Sequence, residues 1–426
     1  MVPAWHFLYR DSAIASSAVL SSSVHPDTYL GPYTFNPRRN AVCLDSKACV
    51  EQSVQIADKV FIVKMKIAYF IDTLWQSGGT ERVLTTKLNW LASQPDVQVA
   101  VVTIRDNRPP FFSLDERIER VELPVNNKNL KAYTKALEAY LHKTRPDISV
   151  AVAGMATETL WKMNDGSKKV LEFHYTKNFL VNFVRGLHSV RFRNLHILKM
   201  KWMQWQLSRT AKKYDVFVGL TKKDVGLWGN PKNMTYVHNP LSFRSDKKST
   251  CTNKRIISVG SWTPAKGMDQ LLEAFGPLAK DYDDWHIDLF GSGQDEQLLR
   301  SIIQKYNMEN QVTLHSPVKN IGDYLVEASI YAFPSRSDGF GLVITEAMEC
   351  GLPTVAMDCP CGPCEIVTER TGLVVPEQDI AAFRTALKKL MDSEALRQEM
   401  GLAAQEEVKR FYPDNIMPQW LKIFNS

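Results

Sequence analysis

Residues Ser335–Val355 read SRSDGFGLVITEAMECGLPTV. The apolar run Ile330-Tyr331-Ala332-Phe333 ends at Pro334, and Ser335 to Asp338 has turn chemistry. Gly341 to Cys350 has helix-forming content, with Ile344, Ala347 and Met348 on one face and Gly351 as a stop. Thr354 opens a new apolar run. The stretch therefore predicts strand, loop, helix, strand. It places Asp338 just ahead of a helix N-terminus and Glu346 one to two turns inside the helix. Free N–H groups and the positive end of the helix dipole lie between them, which suits an anionic ligand that also carries hydroxyl groups.

Outward from this stretch the same alternation continues, which predicts an α/β chain with parallel sheets. On the amino-terminal side, strands are expected at Lys66–Ile71, Val97–Ile104, Ile148–Ala153, Val170–Phe173, Val216–Leu220 and Met234–Val237. A helix is expected over Thr80–Ala92, where Val83, Leu84, Leu88 and Leu91 fall at helical spacing. From Arg255 on, strands are expected at Ile256–Val259, Trp285–Phe290, Val312–Leu314, Ile330–Phe333 and Thr354–Met357. Helices are expected at Met268–Ala279 and from about Pro413 to Phe424. Residues 1–64 lack this periodicity. Ser16–Ser23 is serine-rich and Asn36–Asn40 is a polar turn. They read as an accessory, poorly ordered extension, with an extra strand at Val60–Val63 as the alternative.

A chain of 426 residues has room for two domains. Its 44% hydrophobic and 23% charged content is that of a globular protein. No apolar run approaches the roughly 20 residues of a membrane span. Ala13–Leu20, broken by serines, is a poor secretory signal. Seven cysteines, an odd number, fit a reducing cytoplasm better than a disulfide framework. The net charge of +6 is unevenly spread. From Phe173 to Tyr214 there is no Asp or Glu, while nine Lys and Arg residues, among them Lys177 and Lys213, alternate with Phe179, Phe183, Leu187, Phe192, Leu195, Leu198, Trp202 and Trp205. That pattern suits a helical surface on anionic lipid. A helical hairpin with its apolar stripe turned inward is the other reading. No recognition motif for nucleic acid is present.

The spacing Asp338, seven residues, Glu346, around the GFG turn and the EAM–CG–P ending, resembles the donor-site motif of retaining enzymes of glycosyltransferase family 4. The resemblance runs from about Met65 to the C-terminus. It implies the GT-B fold, two Rossmann-like domains facing a cleft. Residues 65–240 would be the acceptor-side domain, 241–412 the nucleotide-sugar domain, and 413–426 a helix crossing back to the first, with His238-Asn239-Pro240 as the linker. The implied donor-binding residues are Gly78, Gly79, Lys266, Gly339, Phe340, Gly341, Leu342 and Glu346, and His174, Asp338 and Glu346 are the implied catalytic set. Gly78-Gly79 opens the first helix, where a phosphate can approach the backbone. Lys266 is a mobile point charge for a diphosphate. Glu346 can take two ribose hydroxyls, and Asp338 would touch the sugar. The chain departs from the family at two points. Asp338 stands where Glu is usual, and Ser261 stands where an Arg normally follows the strand-end glycine.

Cys359, Cys361 and Cys364 could supply three thiolates, but nothing nearby completes a tetrahedron, so no metal is expected. The neighbouring GP–EI pattern, with Glu365 and Ile366, resembles a family loop near the donor sugar. No cofactor beyond the donor substrate is expected. The expected activity moves a hexose or N-acetylhexosamine from a nucleotide diphosphate sugar to a hydroxyl of a glycan, lipid-linked, at the inner face of the plasma membrane. A GT-B sugar-nucleotide epimerase and a non-catalytic GT-B subunit are the alternatives. A nicotinamide dehydrogenase is disfavoured, since the first βα loop lacks G-x-G-x-x-G.

Overall fold

The computed structural model describes residues 64–125, 129–186, 193–360 and 362–426. The expectations for residues 1–63, for Leu187, Arg191 and Phe192 and for Cys361 lie outside the described residues, as does the side chain of Phe183.

Thirteen described strands form two wholly parallel sheets. The first sheet holds β1 (Met65–Phe70), β2 (Val97–Ile104), β3 (Glu119–Leu123), β4 (Ile148–Ala151), β5 (Lys168–Glu172), β6 (Val216–Gly219) and β7 (Met234–Tyr236), in the order β3-β2-β1-β4-β5-β6-β7. The second holds β8 (Arg255–Val259), β9 (His286–Phe290), β10 (Val312–His315), β11 (Ile330–Phe333), β12 (Thr354–Met357) and β13 (Gly372–Val375), in the order β10-β9-β8-β11-β12-β13. Every residue of β4, β11 and β12 is buried, as expected where helices cover both faces of a parallel sheet. Both sheets reverse strand order beside their first strand, β1 or β8. At such switch points α/β proteins open a crevice beyond the carboxyl ends of the strands.

The sequence reading misses β3 and β13. Glu119, Arg120 and Glu122 of β3 all face water, so this edge strand has no apolar run to reveal it. β13 is four residues long and begins at a glycine.

Seven helices build the cleft or flank it: α1 (Gly79–Ala92), α2 (Phe179–Gly186), α3 (Arg193–Ala211), α4 (Lys222–Leu227), α5 (Met268–Phe275), α6 (Leu342–Glu349) and α7 (Pro413–Asn425). α1 buries Leu84, Leu88 and Leu91 completely, at about 1.5–3 kcal/mol for each side chain. α7 leaves the second domain and lies on α1. Trp90 Nε1 donates to Asp414 Oδ1 at 2.7 Å, and Lys168 Nζ donates to the Ile423 carbonyl at 2.6 Å. One apolar cluster therefore runs from β1 and α1 through Leu241 and Phe340 to Trp420, and it joins the two domains.

α2 and α3 form a hairpin with a small core of its own, in which Met200 and Met203 meet Leu180, Val181 and Val184. The inward-packing reading holds for that face only. Leu195, Leu198, Trp202 and Trp205 are 65%, 64%, 48% and 54% exposed, at the i, i+3, i+7, i+10 positions of one outer stripe. No helix among the described residues is long and apolar enough to cross a membrane.

Candidate functional site

The loop after β11 is pinned before it reaches the cleft. Arg336 forks onto Asp269 of α5 with bonds of 2.8 and 2.6 Å, and its backbone N–H donates to the Ala265 carbonyl at 2.8 Å. A two-pronged guanidinium–carboxylate pair fixes direction as well as distance. Gly267, at φ 65°, lies so close to the Pro334 carbonyl that a Cβ would fall 2.1 Å from its oxygen. The Lys266 and Asp338 loops are thus locked side by side, and Lys266 Nζ forms an ion pair with Asp338 Oδ2.

Asp338 is fully engaged. Besides Lys266, its Oδ1 accepts from the backbone N–H groups of Phe340 and Gly341, both at 3.3 Å. Burial alone would raise its pKa, but the Lys266 ammonium and the backbone donors outweigh this and hold it below the ordinary value. In this arrangement Asp338 closes the turn ahead of α6, and it already occupies two of the N–H groups expected to receive phosphate or sugar. Phe340 offers only its backbone. Its ring is buried against His238 and Phe411, 5.5 and 5.8 Å between centroids. Gly341, at φ 93°, starts α6 in a left-handed conformation, and Leu342 is the first helical residue.

Glu346 differs. It is buried on α6, and its Oε1 accepts from Arg82 Nη1 at 2.5 Å and Ser242 Oγ at 3.0 Å. Its Oε2 is buried and has no partner. Burial raises the pKa, partly offset by Arg82 and Ser242. A half-satisfied buried carboxylate is expensive unless a ligand completes it.

Arg82 comes from α1 of the first domain, so the cleft is bridged at this point. The Gly78-Gly79 turn lies at the start of the same helix. A Cβ on Gly79 would meet nothing within 4 Å, so this backbone faces open space. Gly78 has a more local reason, because a Cβ there would fall 2.4 Å from Glu81 Oε2. Glu81 is buried and its pKa is pushed up to about 7 by that burial. A second buried carboxyl, Asp72, accepts from the Met155 N–H at 3.1 Å, and burial also raises it to about 7. Gly154 makes room for it, since a Cβ there would fall 2.0 Å from the Asp72 carboxyl.

His174 follows β5 and reaches the cleft through its main chain. A Cβ on Gly339 would fall 2.4 Å from the His174 carbonyl oxygen, so the two loops touch. The imidazole Nε2 lies 2.9 Å from Glu172 Oε1, and Glu172 Oε2 pairs with Lys87 Nζ at 2.5 Å. All three side chains are buried, and Lys87 Nζ also lies 3.3 Å above the ring of Trp420 on α7. Burial would raise the Glu172 pKa, but Lys87 and His174 outweigh it and bring it to about 2. Lys87 is lowered by burial, with Glu172 opposing.

The structure thus brings Lys266, Asp338, Gly339 and the start of α6 together, with His174 against Gly339 and with Glu346 tied to the first domain by Arg82. Sequence reasoning misses Arg82, Ser242, Glu172 and Lys87. The Glu-Arg pair that follows Gly78-Gly79-Thr80 is the one local signal that points to Arg82. Glu365, in the loop whose resemblance implies a place near the donor sugar, accepts from the backbone N–H groups of Lys222 and Lys223 at 3.0 and 2.8 Å, at the start of α4. It fastens the second domain to the first. Cys359 is buried and its thiol is raised by burial, which opposes a metal-binding thiolate.

Residues 242–407 match the family model described as Glycosyl transferases group 1. An uncharacterized glycosyltransferase of Haemophilus influenzae is 29% identical over 83% of this chain and 98% of its own. The amylovoran biosynthesis glycosyltransferase AmsD of Erwinia amylovora is 26% identical over 84% of this chain and 99% of its own. Among solved structures, a mutant of S. aureus TarM in complex with fondaparinux, alpha-GlcNAc-glycerol and UDP superposes with a TM-score of 0.67, at 15% identity, over 85% of this chain and 100% of that one. The fold is GT-B, and the family match with the named relatives supports a glycosyltransferase.

Proposed function

We propose that this chain is a retaining glycosyltransferase of family 4. It would move a hexose or N-acetylhexosamine from a nucleotide diphosphate sugar to a hydroxyl of a lipid-linked glycan. The single observation that carries this is Glu346: a buried carboxylate, held on one oxygen by Arg82 and Ser242 and unpartnered on the other. A ribose offers the hydroxyl donors that Oε2 lacks. Lys266 stands ready for the diphosphate, once a phosphate competes with Asp338 for it. With Ser261 in place of the family's Arg, Arg82 supplies the second cation from across the cleft. Catalysis on this reading rests on positioning and on stabilising the departing diphosphate with these cations and helix N–H groups. His174, its imidazole held by Glu172, lines the first-domain side.

The test is a thermal-shift panel of nucleotide sugars followed by product analysis. A ligand at about a hundred times its dissociation constant stabilises by about 2.7 kcal/mol. A change of the sugar without acceptor would favour the epimerase. Failure of every nucleotide diphosphate to bind would favour a non-catalytic subunit.

The α2–α3 hairpin favours work at the inner face of the membrane. Its outer stripe of Leu195, Leu198, Trp202 and Trp205 is flanked by Lys199, Lys201 and Arg209. Tryptophan rings partition to headgroup level, and each basic residue there contributes about 1 kcal/mol on anionic lipid. Vesicle co-sedimentation should show salt-sensitive binding to anionic lipid that Trp202→Ser with Trp205→Ser abolishes. Equal binding to neutral lipid would exclude it.

A further inference from the structure

We propose that a groove on the first domain, lined in part by the segment that leads to the Gly78-Gly79 turn, binds one sugar ring of the acceptor glycan; this rests on the transferase reading above. The groove has a volume of about 260 Å³. Thr73 and Trp75 line it from the segment after β1, Asp106 and Arg108 from the loop after β2, and Arg120 and Glu122 from the edge strand β3. It lies toward the carboxyl ends of β1 and β2, where open α/β sheets take ligands. Its size is just below the roughly 300–1,000 Å³ of sites for drug-sized molecules, so it fits a single ring.

Three buried polar atoms around this groove have no hydrogen-bond partner: Thr73 Oγ1, Trp75 Nε1 and Asp106 Oδ2. Native structures leave few such atoms, and each calls for an explanation. Together they form a mixed set: a hydroxyl, an obligate N–H donor and a carboxylate acceptor. A ring carrying several hydroxyls, each both donor and acceptor, satisfies all three. Arg108 holds the set in place. Its guanidinium lies 3.5 Å over the Trp75 ring, and its Nε donates to Asp106 Oδ1 at 2.5 Å. A site fixed in advance loses less freedom on binding. The four charged side chains are two of each sign, so the groove suits a neutral, hydroxylated ligand better than an anion.

Two contacts tie the loop that lines the groove to the cleft wall. The Phe111 N–H donates to the Leu74 carbonyl at 2.9 Å, which straps the β2–β3 loop over the segment leading to the glycine turn. Next along the loop, the Phe112 ring lies 6.0 Å from the Arg82 guanidinium, which pairs with Glu346. A glycan presenting its reacting hydroxyl in the cleft would lay a neighbouring ring here.

The experiment uses the full chain labelled with 15N at its ten tryptophans. Trp75→Phe identifies the Trp75 indole resonance while keeping a ring for Arg108 to cover. Methyl glycosides of glucose, galactose, mannose, N-acetylglucosamine and N-acetylgalactosamine are titrated in turn. At least one should shift the Trp75 resonance saturably. Asp106→Asn, which keeps the shape, should weaken that binding by roughly 3–10-fold, the loss of one hydrogen bond. A Trp75 resonance unmoved by the whole panel, or an affinity indifferent to Asp106→Asn, overturns the proposal. UDP and GDP added to the same samples report on the second domain. ADP, CDP and dTDP complete that set: failure of all five to bind removes the transferase reading, and with it the acceptor role of the groove, whereas a Trp75 shift lost in Asp106→Asn still establishes a sugar site.

Discussion

The two walls of the cleft are built by different rules. The second-domain wall is almost one piece of chain: Pro334 to Glu346, folded on itself and pinned to Lys266–Asp269. Its chemistry follows from local backbone geometry, with a turn, a helix start and two acids at fixed spacing. The first-domain wall is a composite. Arg82, Lys87, Glu172 and His174 come from α1 and from the end of β5, and Lys87 is sealed by Trp420 from the last helix. One wall can therefore be damaged locally, whereas damage to the other should spread into the fold.

Four measurements can break that contrast or sharpen it. The largest effect is expected on the composite wall. Lys87→Ala leaves Glu172 charged and buried, and removing one partner of such a pair costs about 3–5 kcal/mol. Urea unfolding should show it, and a loss below about 1 kcal/mol would mean that this wall is no more integrated than the other.

The second is a pH dependence, also on the first domain. Asp72 and Glu81 are each raised to about 7, from 3.8 and 4.5. Folded, both hold their protons more tightly than unfolded. Their contribution is therefore complete below about pH 4 and is lost as the pH rises through about 7. Asp72→Asn cannot lose a proton, so it should gain on the parent chain between pH 5 and pH 8. The gain should reach a few kcal/mol, since each tenfold change in proton affinity is worth about 1.4 kcal/mol. Parallel stability curves for parent and variant would refute the argument.

Third, Glu346→Gln should melt like the parent while turnover falls by roughly 10–100-fold, the range for hydrogen bonds to a charged group. Unaltered turnover would remove Glu346 from the donor site, and a collapsed fold would show that the second wall is not local. The smallest effect is expected at Lys266, which is partly exposed and shared with Asp338. Lys266→Ala should weaken a nucleoside diphosphate by about tenfold and leave the nucleoside nearly unaffected. Equal losses for UDP and uridine would contradict a diphosphate role.

Much of this is readable from the chain alone where partners are close in sequence. The helix over Leu342–Glu349, the turn before it and most of the buried strands follow from apolar periodicity and from glycine and proline placement. Reading fails at β3, whose charged edge carries no apolar signal. Nor does it show that the Phe340 ring is buried between the domains and leaves only the backbone for the donor. In the acid-free segment, composition is visible, but which residues face outward is not. Leu195, Leu198, Trp202 and Trp205 on one side and Met200 and Met203 on the other separate only once α2 lies against α3.

The sequence by itself determined two parallel α/β units and the local frame of the donor loop, because turns, helix starts and strand periodicity are set by neighbours a few residues apart. Tertiary structure decided which atoms are free within that frame. Glu346 is held by Arg82, 264 residues away, and by Ser242, 104 residues away, while Lys87 finds Glu172 across 85. No short-range pattern encodes such pairs. They exist because folding buries charges that cannot remain unpaired in a dry interior, and the fold leaves Glu346 Oε2 among the polar atoms of the described residues still to be satisfied.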